Sequence, residues 1–213
     1  MQNYQYEFIK FSLANEVLCF GDFKLKSGRQ SPYFFNTGLF NTGNSLKQLG
    51  YFYACAIKDS GINFDMLFGP AYKGIPLVSS VAIAFAEHFD RDLPYCFNRK
   101  EIKDHGEGGM ILGAPLEGNV LIIDDVISAG TSVNLAVDTI RYAKAKPAGV
   151  AIAMDRQERG KGAISAVQEV EQQHNITVIS IITLEDMIEY LQDMPDMSRK
   201  LEQIQYYRGQ FGI

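Results

Sequence analysis

The segment Val120-Leu-Ile-Ile-Asp-Asp-Val-Ile-Ser-Ala-Gly-Thr-Ser132 places four apolar residues, two adjacent carboxylates and a run of small residues in that order. Three of the four apolar residues are β-branched, which predicts a strand covered on both faces, as in a parallel sheet. Asp124 and Asp125 then stand at the C-terminal edge of that strand, and Ser128 to Ser132 form a loop leading into a helix. Open α/β sheets bind ligands at that edge. Small residues let backbone N–H groups approach a phosphate, and a helix N-terminus adds partial positive charge. The carboxylates can accept hydrogen bonds from sugar hydroxyls or hold Mg²⁺ through water. Two plainer readings compete. Apolar residues ending in Asp-Asp also suit a Walker B strand, but the chain has no GxxxxGK[ST] segment to complete one. A strand-end Asp also commonly caps the next turn. That role explains one acid more easily than two beside such a loop.

Outward from this segment, short apolar runs alternate with helical patterns. Strands are expected at Met66-Leu67-Phe68, Pro94 to Phe97, Val120 to Ile123, Val150 to Met154 and Thr177 to Ile182. Helices are expected at Ser45 to Lys58, Ile75 to His88, Ser132 to Lys144 and Ala163 to Gln173. Such alternation reads as an α/β fold, a mostly parallel central sheet flanked by helices. A length of 213 residues suits one domain with modest embellishments.

The N-terminal forty residues break the alternation. A helix over Tyr4 to Val17 leads into Phe23-Lys24-Leu25-Lys26, a Ser27-Gly28 turn and Tyr33-Phe34-Phe35, a pattern for a small antiparallel cap. Its aromatic residues suit hairpin packing and signal no chemistry alone. From Leu184 onward one or two peripheral helices are expected. Arg99 to Gly109 reads Arg-Lys-Glu-Ile-Lys-Asp-His-Gly-Glu-Gly-Gly and fits no element. On composition it is equally a lid or a disordered stretch.

Hydrophobic residues make up 46% and charged residues 21%, a globular balance. The net charge of −5 argues against a surface built for nucleic acid. An acidic protein that binds a polyanion must concentrate its cations locally. No apolar run approaches the ~18 residues of a membrane span, and Met1 to Lys10 lacks the apolar core of a signal peptide. A cytoplasmic protein is expected. Cys19, Cys55 and Cys96 form no CxxC pair and sit in apolar stretches, so they read as buried, reduced thiols.

The segment at 120–132 resembles the PRPP-binding motif of the type I phosphoribosyltransferases, where PRPP is phosphoribosyl pyrophosphate. Lys26-Ser-Gly-Arg-Gln-Ser-Pro-Tyr-Phe-Phe-Asn36, Gly69-Pro-Ala-Tyr-Lys-Gly-Ile-Pro76, Asn98-Arg-Lys-Glu-Ile-Lys-Asp-His-Gly-Glu-Gly108 and Asp155-Arg-Gln-Glu-Arg-Gly160 are similar, in order and spacing, to the bacterial orotate-using branch. The similarity runs essentially from end to end. It implies a type I phosphoribosyltransferase-like fold over residues 1–213, with a small hood drawn largely from residues 1–40 and a mobile lid at 99–109. It also implies the reaction of orotate with PRPP to orotidine 5′-monophosphate and pyrophosphate, in UMP biosynthesis, with Mg²⁺ as cofactor. No membrane or nucleic-acid partner is implied.

The resemblance also implies roles residue by residue. Lys26, Tyr72, Lys73, Arg99, Lys100, Lys103 and His105 reach PRPP, together with Asp124, Asp125, Val126, Ile127, Ser128, Ala129, Gly130, Thr131 and Ser132. Orotate meets Lys26, the backbone of Phe34 and Phe35, Ser128, and Arg156 through its carboxylate. Lys103, Asp125, Lys73 and His105 carry the catalytic load. Mg²⁺ is held mainly by PRPP, with Asp124 and Asp125 nearby through water. In the family's homodimer the lid reaches into the partner's site. One departure stands out: position 128 is Ser where Thr is implied, so the hydroxyl stays and only the methyl group is missing.

Physical chemistry supports these roles independently. Charge develops on pyrophosphate as the C1–O bond breaks, so cations aimed there stabilise the transition state selectively. A closed lid excludes water from an oxocarbenium-like ribosyl centre. Arg156 follows the strand Val150 to Met154 and so faces the same edge as Asp124, and its planar fork suits a carboxylate. Taken alone, Arg156 more often makes a surface ion pair. A phosphoribosyltransferase for another base would lack a reason for Arg156 and Lys26. A PRPP-sensing regulator on the same fold should carry a nucleic-acid face, which the charge disfavours. No decarboxylase domain is expected after the core.

Overall fold

The structure, a computed structural model, describes residues 1–25, 27–103, 109–160 and 162–213; for residues 100–103 and 109 it describes the backbone alone. Helix α1 (Asn3–Ala14) leads into strands β1 (Leu18–Lys24) and β2 (Gln30–Phe35), which pair antiparallel as a two-stranded sheet. The expected helix to Val17 stops three residues early. Its C-cap is Asn15, Glu16 takes a positive φ of 56°, and Val17 is buried, with its carbonyl accepting from the Asn36 N–H. The cap strand therefore starts at Leu18 rather than Phe23.

Beyond the cap, α2 (Gly43–Ser60) precedes β3 (Met66–Gly69), α3 (Gly74–Phe89), β4 (Tyr95–Lys103), β5 (Gly109–Gly113), β6 (Asn119–Ile123), α4 (Thr131–Tyr142), β7 (Lys146–Asp155), α5 (Ala166–His174) and β8 (Thr177–Thr183). Two further helices, α6 (Leu184–Gln192) and α7 (Ser198–Phe211), close the described chain. The larger sheet runs β5-β4-β3-β6-β7-β8. All neighbours in it are parallel except β5, which pairs antiparallel with β4 at the edge. The expectation that 99–109 fits no element is corrected in part. Residues 99–103 continue β4, because β5 offers that strand a ladder, and 109 opens β5. Residues 104–108, the middle of the lid expected at 99–109, lie outside the described residues.

Alternation with a period of two sorts the strand side chains to two faces. Leu67, Leu121, Ile123, Ala151 and Ala153 join the core beneath α1, α2, α3 and α6. Met66, Phe68, Val120, Ile122, Val150 and Ile152 join the second core beneath α4 and α5. A side chain such as Leu121, with no exposed surface, contributes roughly 1.5–3 kcal/mol by its burial. This double covering is why these strands read as unbroken apolar runs. Helices α2 and α3 pack so closely that a Cβ on Gly50 would lie 2.5 Å from the Ser80 carbonyl oxygen. The cap also draws on the far end of the chain: Tyr33 of β2 lies edge-on to Tyr207 of α7, with ring centroids 6.2 Å apart. Cys96 is buried as expected; Cys19 and Cys55 are partly exposed instead.

From β3 the chain moves outward to β4 and then crosses back to β6 on β3's other side. That reversal opens a crevice at the strands' C-terminal ends, between the loops that follow β3 and β6.

Candidate active site

The loop after β6 enters the crevice with two acids that strand burial holds in place. Asp124 is 5% exposed and Asp125 is 9% exposed. Parallel pairing with β7 continues past the strand, since the Asp124 N–H donates to the Ala151 carbonyl and the Ala153 N–H to the Asp125 carbonyl. Tyr53, fully buried on α2, donates from its hydroxyl to the Asp124 carbonyl at 2.7 Å. Burial together with the charges of Asp125 and Asp124 lifts the Tyr53 phenol well above its ordinary range, so it remains a donor. The Asp124 carboxylate accepts from the Asp125 N–H at 2.9 Å. Burial, joined by the neighbouring Asp125 charge, raises the Asp124 carboxyl to about 6.

Asp125 faces the loop after β3. Its Oδ2 accepts from Lys73 Nζ at 2.5 Å and from Thr37 Oγ1 at 3.2 Å. The Lys73 contact joins the two crevice loops, and the Thr37 contact joins the cap region to the sheet. Asn98 Oδ1, near the middle of β4, accepts from the Ala71 N–H at 2.8 Å and braces the same loop. The Ala71–Tyr72 peptide there is cis, and the Tyr72 ring is 65% exposed. Arg99 is half-buried on β4.

Beyond Asp125, Val126 and Ile127 are half-buried and Ser128 and Ala129 are exposed. Gly130 has φ +69° and starts α4, where Thr131 and Ser132 are exposed and no side chain caps the first turn. A β-carbon at 130 would be strained in that conformation and would lie 3.1 Å from Val170 Cγ2. The first-turn N–H groups thus present partial positive charge at the crevice, beside small residues, as an anion requires.

Arg156 leaves β7 at the same edge but does not stand alone. Its Nε donates to Glu158 Oε1 at 2.8 Å, its Nη2 to Ser31 Oγ of β2 at 3.1 Å, and its guanidinium lies 4.1 Å from the centre of the Tyr33 ring. Burial opposes its charge, but Tyr33 and Glu158 more than offset this and leave its pKa raised. The ion pair that the sequence left open therefore exists, half-buried and not at the surface. It brings Arg156 to the strand that carries Phe34 and Phe35. That strand pairs on one side with β1, so alternate backbone groups point away from the ladder.

Among the expected site residues, the structure brings together Lys73, Asp124 and Asp125, with Ser128 to Ser132 on the continuing loop, and separately joins Arg156 to β2. Lys26 and His105 lie outside the described residues, as do the side chains of Lys100 and Lys103. Sequence reasoning did not single out Thr37, Tyr53, Asn98 or Glu158. The place of Asn98 directly after the apolar run Tyr95-Cys96-Phe97 was the available signal for it; Thr37 and Tyr53 have none, since their partners lie 88 and 71 residues away. Among the described residues no helix is long and apolar enough to cross a membrane.

Comparison with known proteins gives the following likenesses. Residues 39–185 match the model of the phosphoribosyl transferase domain. The chain is 59% identical over 213 residues, covering all of both chains, to the orotate phosphoribosyltransferases of Shigella flexneri serotype 5b and Salmonella typhi. The crystal structure of Francisella tularensis orotate phosphoribosyltransferase superposes with a TM-score of 0.89 at 43% identity, over 97% of this chain and 100% of that one.

Proposed function

The chain belongs to the phosphoribosyl transferase family, and from that premise we propose how its residues carry the family's reaction. Its activity is that of an orotate phosphoribosyltransferase, a pentosyltransferase of pyrimidine biosynthesis, which transfers the phosphoribosyl group of PRPP to orotate. The observation that carries the assignment of residues is the pairing of Lys73 with Asp125 across the crevice, beside the uncapped N-terminus of α4.

In this reading the 5′-phosphate of PRPP is held by backbone N–H groups from Ser128 to Ser132, with the hydroxyls of Ser128, Thr131 and Ser132 beside them. Asp124 and Asp125 accept hydrogen bonds from the ribose hydroxyls. Lys73 turns from Asp125 toward pyrophosphate, where negative charge grows as the C1–O bond breaks. Tyr72, Arg99 and Lys100 flank the same pyrophosphate, and Lys26, Lys103 and His105 complete the cationic surround. Orotate rests against the backbone of Phe34 and Phe35, with its carboxylate at Arg156. N1 of orotate forms the new bond to C1, and the N1 proton is released.

The donor set also fits Mg²⁺. Two carboxylates, one of them already accepting from Lys73 and Thr37, are too few for a cage built by protein alone, yet suit metal-bound water around a phosphate-held ion. When bound, Mg²⁺ neutralises charge on the departing pyrophosphate. Asp124 and Asp125 would be its protein neighbours. We read residues 1–213 as one phosphoribosyltransferase unit, cytoplasmic, acting as a homodimer whose lid serves the partner's site.

The test follows orotate's ultraviolet absorbance with PRPP, with and without Mg²⁺. Loss of absorbance that requires both PRPP and Mg²⁺ is expected. Turnover of uracil or hypoxanthine at a rate comparable to orotate would overturn the substrate assignment.

A further inference from the structure

Glu158 gathers more polar contacts than its place in a surface turn requires. Its side chain is only 12% exposed, and its Oε1 lies 2.8 Å from Arg156 Nε and 2.6 Å from Arg156 Nη2. The Tyr33 hydroxyl donates to the same oxygen at 3.4 Å, and Arg29 Nη1 donates to Oε2 at 3.3 Å. One carboxylate thus faces two guanidinium groups and a phenol, drawn from the β1–β2 turn, from β2 and from the end of β7. The backbone around it is fixed as well. Gln157 takes φ +49°, its carbonyl accepts from the Ile213 N–H at 3.1 Å, and Arg159 donates its N–H to the Phe211 carbonyl at 2.8 Å. The turn therefore presents Glu158 to Arg156 from a frame anchored at the far end of the chain.

The charges have a consequence for an anionic base. Glu158 divides its charge between two guanidinium groups, so Arg156 keeps an attraction for the carboxylate of orotate. Without Glu158 the two guanidinium groups lose the carboxylate they share, and the Arg156 fork is left with its Ser31 contact and the Tyr33 ring. A long side chain held by fewer contacts loses more rotamer freedom on binding, at a cost to affinity.

We infer that Glu158 is the positioning residue for orotate recognition: it holds the Arg156 guanidinium in the plane that receives the base's carboxylate and couples that plane to β2. The inference rests on the reading of Arg156 as the orotate contact. Glu158 itself touches Arg156, Arg29 and Tyr33, not the reacting atoms.

Glu158→Gln keeps the size and an acceptor oxygen but removes the charge. The expected result is a rise of about tenfold in KM for orotate, with KM for PRPP changed less than twofold, comparable to losing one charge-assisted hydrogen bond. Glu158→Asp should recover part of the loss. A parallel Arg156→Ala variant separates the two claims. With Arg156 gone, adding Glu158→Gln should change KM for orotate no further, because the second residue acts through the first. If Arg156→Ala leaves KM for orotate unchanged, the Arg156 reading itself fails. If Arg156→Ala raises it but Glu158→Gln leaves it unchanged or lowers it, only the positioning role is overturned. Equal losses for orotate and PRPP that track a fall in Tm would mean a structural role and would also overturn it. Should Glu158→Gln fold poorly, Arg29→Ala, which removes the second cation on Oε2, must still shift KM for orotate selectively.

Discussion

The Tyr53 hydroxyl and the main-chain carbonyl of Asp124 meet at 2.7 Å, so a helix beneath the sheet holds the peptide on which both crevice acids are mounted. Tyr53→Phe leaves that carbonyl without this donor in a site where Tyr53 is fully buried. A loss of about 1–3 kcal/mol in unfolding free energy is expected, the usual penalty for a buried polar group deprived of its partner. Urea denaturation measures it. An unchanged midpoint would mean that water replaces the phenol.

Asp124 should make stability and activity respond oppositely to pH. Its carboxyl is raised by burial and by Asp125 to about 6, so the folded state binds the proton more tightly than the unfolded state does. Protons then favour folding, and the contribution from this group falls as pH rises from about 4 to about 6. Asp124→Asn should stabilise the ligand-free protein above pH 6 by about 1–3 kcal/mol and flatten that slope. The same substitution should impair PRPP use, because a neutral amide accepts from ribose hydroxyls and metal-bound water more weakly. Thermal melts between pH 4 and 8, with kcat/KM for PRPP, check both signs. A variant less stable at pH 7.5 yet fully active would show Asp124 acting as a cap.

Arg156 sets the expectation for base choice. Glu158 still pairs the guanidinium when the base brings no carboxylate, so the loss is that of one charge-assisted contact, about 1.5–3 kcal/mol or roughly 10- to 10²-fold in kcat/KM for uracil. Arg156→Lys should weaken orotate use, since an ammonium cannot reproduce both the Glu158 and Ser31 contacts of the planar fork. Competition kinetics with both bases gives the ratio directly.

The proposed shared lid has its own test. Lys103→Ala should lower kcat by about 10²–10³ by removing one charge-stabilising donor. Mixing those subunits with Asp125→Asn subunits should restore activity toward about a quarter of wild type, if each site takes its lid from the partner and assembly is random. In the mixed dimer one site is intact and the other carries both defects. No recovery despite demonstrated exchange would place the lid over its own subunit.

The strand and helix order was legible because it rests on local chemistry. Ile122 and Ile123 point to opposite faces by the strand's period, and both faces are apolar, so the parallel sheet followed from the sequence itself. The place of Asp124 and Asp125 at the sheet's C-terminal edge, and the small-residue turn before α4, followed in the same way. Boundaries were read less well where distant partners decide them. β4 extends through 103 because β5 pairs with it, and the first helix ends at Ala14, three residues short of the expected Val17, where the chain turns at Asn15 and Glu16 to enter β1.

Tertiary structure alone decided which side chains meet. Asp125 to Thr37, Asp124 to Tyr53, and Arg156 to Ser31 are separated by 88, 71 and 125 residues. No periodicity encodes such pairs, since each depends on how the cap, α2 and the sheet edge pack together. The sequence determined that acids and an arginine stand at one edge. Packing decided that Asp125 is held by Lys73 and Thr37, and that Arg156 stands at that edge already bound by Glu158, because charges drawn into a part-buried site must find partners there.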